Sequence, residues 1–326
     1  MKSINVPRRE MLRVLAGAAA LPALARRASA AGYPARPVRL IVPYPAGGAP
    51  DIVARLISKW FTERFGQQFI VDNRTGAGGN LGTEMVAKAA PDGYTLLQAV
   101  STNVVNVTLY EHLNFNFVHD FAPIGTIGMV PFALLIYPGF PAKTLDEFIA
   151  YAKANPGKVN MATQGIGTTP HICGELLQMM TGIRFLHVPY RANLMPDLLA
   201  GQVHIYFSPL PQGIAFIRDG RLRPLGVTTL MRVGALPDLP AIAERVPGYE
   251  ALGWHGLCAP KDPPREVVDT LNGALAAAVV DPDLKLRLDD LGVTPTRMTP
   301  AEFGKFIVDE TEKWAKVIKF ANIRVE

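Results

Sequence analysis

Short apolar runs alternate with helical patterns along most of the chain. Residues 38–42, 69–72, 95–100, 132–137, 159–162, 185–188, 203–207 and 225–228 have the length and the β-branched or aromatic content of strands. Between them the apolar positions change period. Ile52, Val53, Leu56, Ile57, Trp60 and Phe61 share one face of a helix. Thr144-Leu145-Asp146-Glu147 is a capping box that opens a second helix, which Asn155-Pro156-Gly157 ends. Thr169-Pro170 gives an N-cap followed by proline at the first helical position, with Gly182 as the stop. Thr299-Pro300-Ala301-Glu302 repeats that grammar near the C-terminus. Such alternation predicts an α/β protein with mostly parallel sheets. No repeat of fixed period and no low-complexity linker interrupts it.

A length of 326 residues, 49% of them hydrophobic and only 19% charged, sets the scale at about two domains and excludes disorder. The net charge of +5 is unevenly placed. Residues 1–30 hold Lys2, Arg8, Arg9, Arg13, Arg26 and Arg27 against Glu10. Setting these aside, the 33 basic and 28 acidic residues fall to 27 of each. A neutral body offers no broad phosphate-binding surface, so no nucleic-acid partner is expected.

Those first 30 residues have the order of an export leader. A basic start precedes an apolar stretch at 11–24, and Ala28-Ser29-Ala30 is a small-x-small cleavage pattern. The stretch is short against the ~20 residues of a membrane span. Pro7-Arg8-Arg9-Glu10-Met11-Leu12-Arg13 is similar to a twin-arginine signal, and Arg26-Arg27 add positive charge before the cleavage site. Cleavage after Ala30 would leave a periplasmic protein. Replacing Arg8-Arg9 by Lys-Lys should trap precursor in the cytoplasm; an unchanged periplasmic yield of protein beginning at Ala31 would refute the twin-arginine route. Cys173 and Cys258 are expected to be buried and free, since their spacing matches no metal or redox motif.

The chemistry-bearing residues sit where strands end, which is where such sheets bind ligands. Val42-Pro43-Tyr44-Pro45-Ala46-Gly47-Gly48-Ala49-Pro50-Asp51 runs from a strand through a Pro/Gly loop into a helix. Its glycines permit successive N–H groups to face one way, and the helix start adds unpaired donors, together a cradle for an anion. The same residues also make an ordinary tight turn with Asp51 favouring the helix dipole, and the loop alone does not choose. Asp72-Asn73-Arg74-Thr75-Gly76-Ala77-Gly78-Gly79-Asn80-Leu81-Gly82 repeats the construction. A dinucleotide would need the third glycine at Leu81 and an acidic residue near Gln98–Ser101, and neither is present. Thr163-Gln164-Gly165-Ile166-Gly167-Thr168-Thr169-Pro170-His171 is the third such loop, and Ser101-Thr102-Asn103 and Ser208 add neutral hydrogen-bonding groups after two more strands. His171 stands out among six histidines because it falls in the first turn after a candidate anion loop. No GxSxG elbow, metal-ligand spacing or sequence-legible catalytic set is present, and no cofactor is expected.

At these loops the chain resembles the Bug family, the substrate-binding proteins of tripartite tricarboxylate transporters. The matching segments include Val42-Pro43-Tyr44-Pro45-Ala46-Gly47-Gly48, Asn73-Arg74-Thr75-Gly76-Ala77-Gly78-Gly79 and Pro91-Asp92-Gly93-Tyr94-Thr95-Leu96-Leu97. Val188-Pro189-Tyr190-Arg191, Leu199-Ala200-Gly201-Gln202-Val203 and Trp254 through Pro260 follow in order. The resemblance implies a two-lobed periplasmic binding fold of type II-like form, with the ligand between the lobes. Residues 31–130 and 254–326 would make one lobe and residues 131–253 the other. It implies a small organic acid as ligand, whether a di- or tricarboxylate or an aromatic acid. Transporter membrane subunits would be the partners of a monomeric, non-enzymatic protein. Tyr44, Ala46, Gly47 and Gly48 would hold a carboxylate with Thr163, Gly165, Gly167, Thr168 and Thr169. Asp51, Gly76, Ala77, Gly78, Gly79, Ser101, Thr102, Asn103, Ile166, His171, Tyr190 and Ser208 complete the expected site. Arg191 to Asp197 departs from the family pattern by lacking a glycine and being about two residues short, which leaves the shape of the second-lobe side of the pocket open, and Arg191 either meets a distal carboxylate or is a solvated surface side chain. A sensor docking on a histidine kinase is the competing function, and a nucleotide-dependent reductase a weaker one.

Overall fold

The computed structural model describes residues 32–190 and 193–325. Residues 1–30, where an export leader is expected, and Arg191 lie outside the described residues. Among the described residues eleven strands form two sheets. The first contains β1 (Val38–Val42), β2 (Phe69–Asn73), β3 (Thr95–Val100), β4 (Phe121–Val130), β10 (Gly253–Pro260) and β11 (Thr294–Pro295), in the order β11-β4-β10-β3-β1-β2. The second contains β5 (Phe132–Ile136), β6 (Val159–Thr163), β7 (Phe185–Pro189), β8 (Ile205–Pro209) and β9 (Arg223–Val227), in the order β7-β6-β8-β5-β9. The chain crosses between sheets at Pro131 and has returned by Gly253.

Helices follow the strands as the sequence pattern requires. In the first lobe α1 (Ala49–Phe65), α2 (Asn80–Ala87) and α3 (Ser101–Leu109) succeed β1, β2 and β3. In the second, α4 (Leu145–Ala154), α5 (Thr169–Thr181), α6 (Met195–Leu199) and α7 (Leu210–Arg218) succeed β5, β6, β7 and β8. After β10 come α8 (Arg265–Ala278), α9 (Pro282–Asp290) and α10 (Pro300–Ala321). The capping box at Thr299 forms: Glu302 N–H donates to Thr299 Oγ1 at 3.2 Å while Thr299 N–H donates to Glu302 Oε2 at 2.8 Å. Among the described residues no helix is long and apolar enough to cross a membrane.

The sheets are mixed, not mostly parallel. β1 runs parallel to β2 and β3, and β6 to β7 and β8, as βαβ alternation dictates. The strands that carry the chain between lobes reverse this. β10 is antiparallel to both β3 and β4, and β5 to both β8 and β9. β4 has no strand-like signature, because Pro123, Gly125 and Gly128 break its apolar run. In β10, Gly256 is a strand glycine that makes room: a Cβ there would lie 2.4 Å from the Phe303 ring of α10.

That helix ties the lobes together. Trp314, Val317 and Ile318 of α10 share a buried cluster with Ile172, Cys173 and Leu176 of α5 and with Val104 and Val105 of α3. Trp314 is fully buried and donates its Nε1–H to Glu310 Oε2 at 2.9 Å. Cys173 and Cys258 are both buried and unpaired, as expected. A separate apolar cluster fills the first lobe beneath α1, α8 and α9, with Val38, Leu40, Val53, Ile57, Leu271 and Leu288 at its centre.

Candidate functional site

A cavity of about 270 Å³ lies between the lobes at the carboxyl ends of β1, β3 and β6. It is just below the ~300–1,000 Å³ range of ligand pockets. Three helix N-termini open into it. Ala49 and Pro50 come from the first turn of α1, Ser101 and Thr102 from α3, and Thr169 and Pro170 from α5, with its N-cap Thr168. The first N–H groups of each helix have no acceptor within the helix, and each N-terminus carries about half a positive charge. Ser101 Oγ and Thr169 Oγ1 meet across the cleft at 3.2 Å, so α3 of one lobe and α5 of the other touch directly.

The remaining wall is mainly apolar: Val100, Val130, Phe132, Pro209, Trp254, Leu291 and Val293. Tyr44, Gln164 and His255 add polar groups. Tyr44 Oη is hydrogen-bonded to Thr102 Oγ1, and burial raises its pKa to about 12, so the phenol stays neutral. Burial lowers His255 to about 4, so its ring is neutral too. No Lys or Arg is among the described residues of the wall.

The first loop is built around a carboxylate of its own. Asp51 Oδ2 accepts from Gly47 N–H at 2.9 Å and from Arg55 Nε at 2.9 Å, and Oδ1 accepts from Asn73 Nδ2 at 3.0 Å. Asn73 Nδ2 also reaches the Tyr44 carbonyl at 3.0 Å. Burial works to raise the Asp51 pKa, but the donors from Arg55, Gly47 and Asn73 outweigh it and hold the carboxyl below the usual range. Gly47, at φ 81°, therefore turns its N–H into the loop. Gly48 N–H likewise reaches the Pro45 carbonyl at 3.3 Å. Ala46 is exposed.

The second-lobe loop also spends donors internally. Gly167 N–H donates to His171 Nδ1 at 3.1 Å, and Thr168 Oγ1 donates to the Gly165 carbonyl at 2.7 Å. The Thr163 carbonyl accepts from Tyr190 N–H at 2.8 Å. Ile166 stands exposed at the loop tip. From Gln164, which lines both, a larger cavity of about 870 Å³ continues along this lobe past Gly165, Tyr190, Asn193, Met195 and Phe216. Tyr190 is held there by donating to Asp197 Oδ2 at 2.7 Å.

A model of the tripartite tricarboxylate transporter family receptor matches residues 53–323. The chain belongs to that family. BugT of Bordetella pertussis is 35% identical to this receptor over 301 residues, covering 91% of this chain and 92% of that one. Among solved structures, R. palustris Rpa4515 with adipate superposes with a TM-score of 0.77 at 34% identity, covering 90% of the receptor and 100% of that chain. MatC from Rhodopseudomonas palustris, with bound malate, gives a TM-score of 0.73 at 30% identity, covering 88% and 100%.

Of the residues singled out from the receptor's sequence, Tyr44, Ser101, Thr102, Thr168 and Thr169 reach the cleft wall. Others have structural tasks. Gly78 and Gly79 pack under Tyr110 and Tyr44, where a Cβ would lie 2.6 Å and 3.2 Å from the respective Oη atoms. Gly76 and Ala77 lead into that short turn. Asn103 Oδ1 accepts from Val100 N–H at 2.8 Å and its Nδ2 donates to Thr83, fixing the start of α3. Ser208 is buried and donates to the Pro209 carbonyl at 3.0 Å. Sequence reasoning passed over Gln164, Pro170, Phe132, Leu291 and Val293. Gln164 and Pro170 belong to the glycine loop at 163–171, but Leu291 and Val293 follow a surface helix and carry no local signal.

Proposed function

We propose that the receptor captures a small organic carboxylate in the interlobe cleft, in the periplasm, and delivers it as a monomer to the membrane subunits of a tripartite transporter. The observation that carries this is the convergence of helix N-termini from both lobes on one cavity. An anion there meets unpaired N–H groups and the positive ends of three helices, each worth about 0.3–1 kcal/mol before burial strengthens it. Hydroxyls of Ser101, Thr102 and Thr169 add neutral hydrogen-bonding groups, while Phe132, Leu291 and Val293 suit the hydrocarbon part of the ligand. Adipate and malate, the ligands of the two R. palustris structures, have that composition. Binding on both sides of the cleft closes the lobes, and no chemical step is required.

A thermal-shift screen of the mature protein against malate, adipate, citrate and benzoate tests this. An acid at a hundred times its Kd should add ~2.7 kcal/mol and raise the midpoint clearly. Flat responses to every acid, with a shift on NADPH instead, would return the cleft to a nucleotide.

A further inference from the structure

Behind the second-lobe loop lies a cluster of His171, Glu175 and His187 whose ligating atoms all fall within 4.8 Å of one another. His171 and Glu175 are one turn apart on α5 and buried, and His187 comes from β7. His187 Nε2 lies 2.5 Å from Glu175 Oε1, and His171 Nε2 lies 3.6 Å from the same oxygen. Two histidines and a carboxylate suggest a divalent-metal site, but the hydrogen bonding argues otherwise. A metal on His171 Nε2 would leave the neutral ring's proton on Nδ1, where metal-bound histidines usually donate. Here Nδ1 receives a proton donor, the Gly167 N–H at 3.1 Å. The ring must therefore offer a lone pair at Nδ1 and carry its hydrogen at Nε2, facing Glu175.

We propose that His171 is a positioning residue for ligand binding: with its hydrogen on Nε2, on the side of Glu175, its Nδ1 holds the Gly167 N–H so that the 163–169 loop keeps the shape that faces the cleft. Each neighbour serves that arrangement. The glutamate is itself oriented, since Gln178 Nε2 donates to Glu175 Oε2 at 2.8 Å and Gln178 Oε1 accepts from Phe185 N–H at 2.6 Å. The two imidazoles pack edge-to-face with centroids 4.6 Å apart. Burial, with His187 nearby and only Glu175 opposing, lowers the His171 pKa to about 4 and keeps the ring a neutral acceptor near pH 7. Gly167 has φ 76°, and a Cβ there would sit 2.4 Å from Leu109 Cδ2 in the other lobe, so a small displacement of this residue alters how the lobes meet. A chain of contacts thus runs from β7 through α5 to the loop.

The inference rests on the carboxylate-cleft proposal, and two near-isosteric variants separate them. Asparagine places Oδ1 where Nδ1 stood and can accept from Gly167; leucine has the same branching and cannot. Wild type, His171→Asn and His171→Leu are titrated calorimetrically with the acid that gives the largest thermal shift. His171→Leu should bind ten- to a hundredfold more weakly, the loss of one buried acceptor, and His171→Asn should recover most of the affinity. In ¹⁵N-labelled wild type, a through-hydrogen-bond coupling between Gly167 N and His171 Nδ1 should be seen without ligand, with the hydrogen on Nε2. If wild type binds no acid, the cleft proposal fails while the coupling still reports on the brace. If wild type binds and His171→Leu binds equally well, His171 has no positioning role. A Zn(II)-induced thermal shift that Glu175→Gln abolishes, with the ring hydrogen on Nδ1, would reassign the cluster to metal binding.

Discussion

Gly292→Ala should hold the lobes apart and weaken ligand binding by about tenfold or more, the equivalent of 1.4 kcal/mol. Gly292 ends α9 in the left-handed region at φ 65°, with its N–H on the Asp289 carbonyl and the Val293 N–H on the Leu288 carbonyl. A Cβ there would fall 1.6 Å from Pro211 Cγ, at the start of α7 in the opposite lobe. Side-chain rotation cannot relieve that contact, because a proline ring meets a backbone-fixed methyl. The lobes must separate at this corner. Its neighbours Leu291 and Val293 form one side of the cleft and Pro209 another, so separation opens the apolar wall to water. Gly66→Ala is the matched control. Gly66 ends α1 at φ 67°, but a Cβ there meets nothing within 4 Å, so it carries the same left-handed cost without the clash. Calorimetric titration and small-angle scattering of both variants decide the matter. Equal affinity and equal radius of gyration for the two would show that the Gly292–Pro211 contact does not limit closure.

The difference between these two glycines also marks where the sequence stops being informative. Both have the local signature of a helix stop, and nothing nearby in the chain tells which one abuts the other lobe. The strand–loop–helix junctions were legible because a strand end, a glycine and a helix N-cap are local features. Tyr44, Ser101, Thr102, Thr168 and Thr169 follow from them and meet at one cavity. Their detailed tasks were not legible. The glycines of the first-lobe and second-lobe loops suggested donors free for a ligand, yet Gly47 serves Asp51 and Gly167 serves His171. Either acceptor lies only four residues ahead, at a spacing that the start of a helix turns back onto the loop. The antiparallel β4 and β10 were hidden for a different reason. Their glycines exist for contacts with Thr294 and Phe303, some 170 and 50 residues away in sequence as roughly counted, and tertiary fit of that kind overrides strand propensity.

Asp51→Asn is the other substitution with a large expected effect, because one carboxylate organises the whole first loop. Asp51 is 2% exposed and accepts from Gly47, Arg55 and Asn73. Asparagine keeps the shape but turns an NH2 group toward donors that need an acceptor. The bond to Arg55 contributes little, since that guanidinium is half exposed. Leaving the Gly47 N–H and the Asn73 amide poorly satisfied should cost about 2–4 kcal/mol. The loop would also lose the anchor that sets Tyr44 against the cleft, so affinity should fall with stability. The pH dependence separates this from a general packing defect. The folded state favours ionised Asp51, so its contribution is complete above the unfolded carboxyl's pKa of about 3.9 and is lost as the pH falls through the lower folded value. Stability measured by denaturant titration should therefore differ between wild type and Asp51→Asn by a constant amount near neutrality, and the two curves should converge below about pH 4. Curves that stay parallel into acid would show that the cost of the substitution lies in shape and not in the charge that Gly47 and Asn73 face.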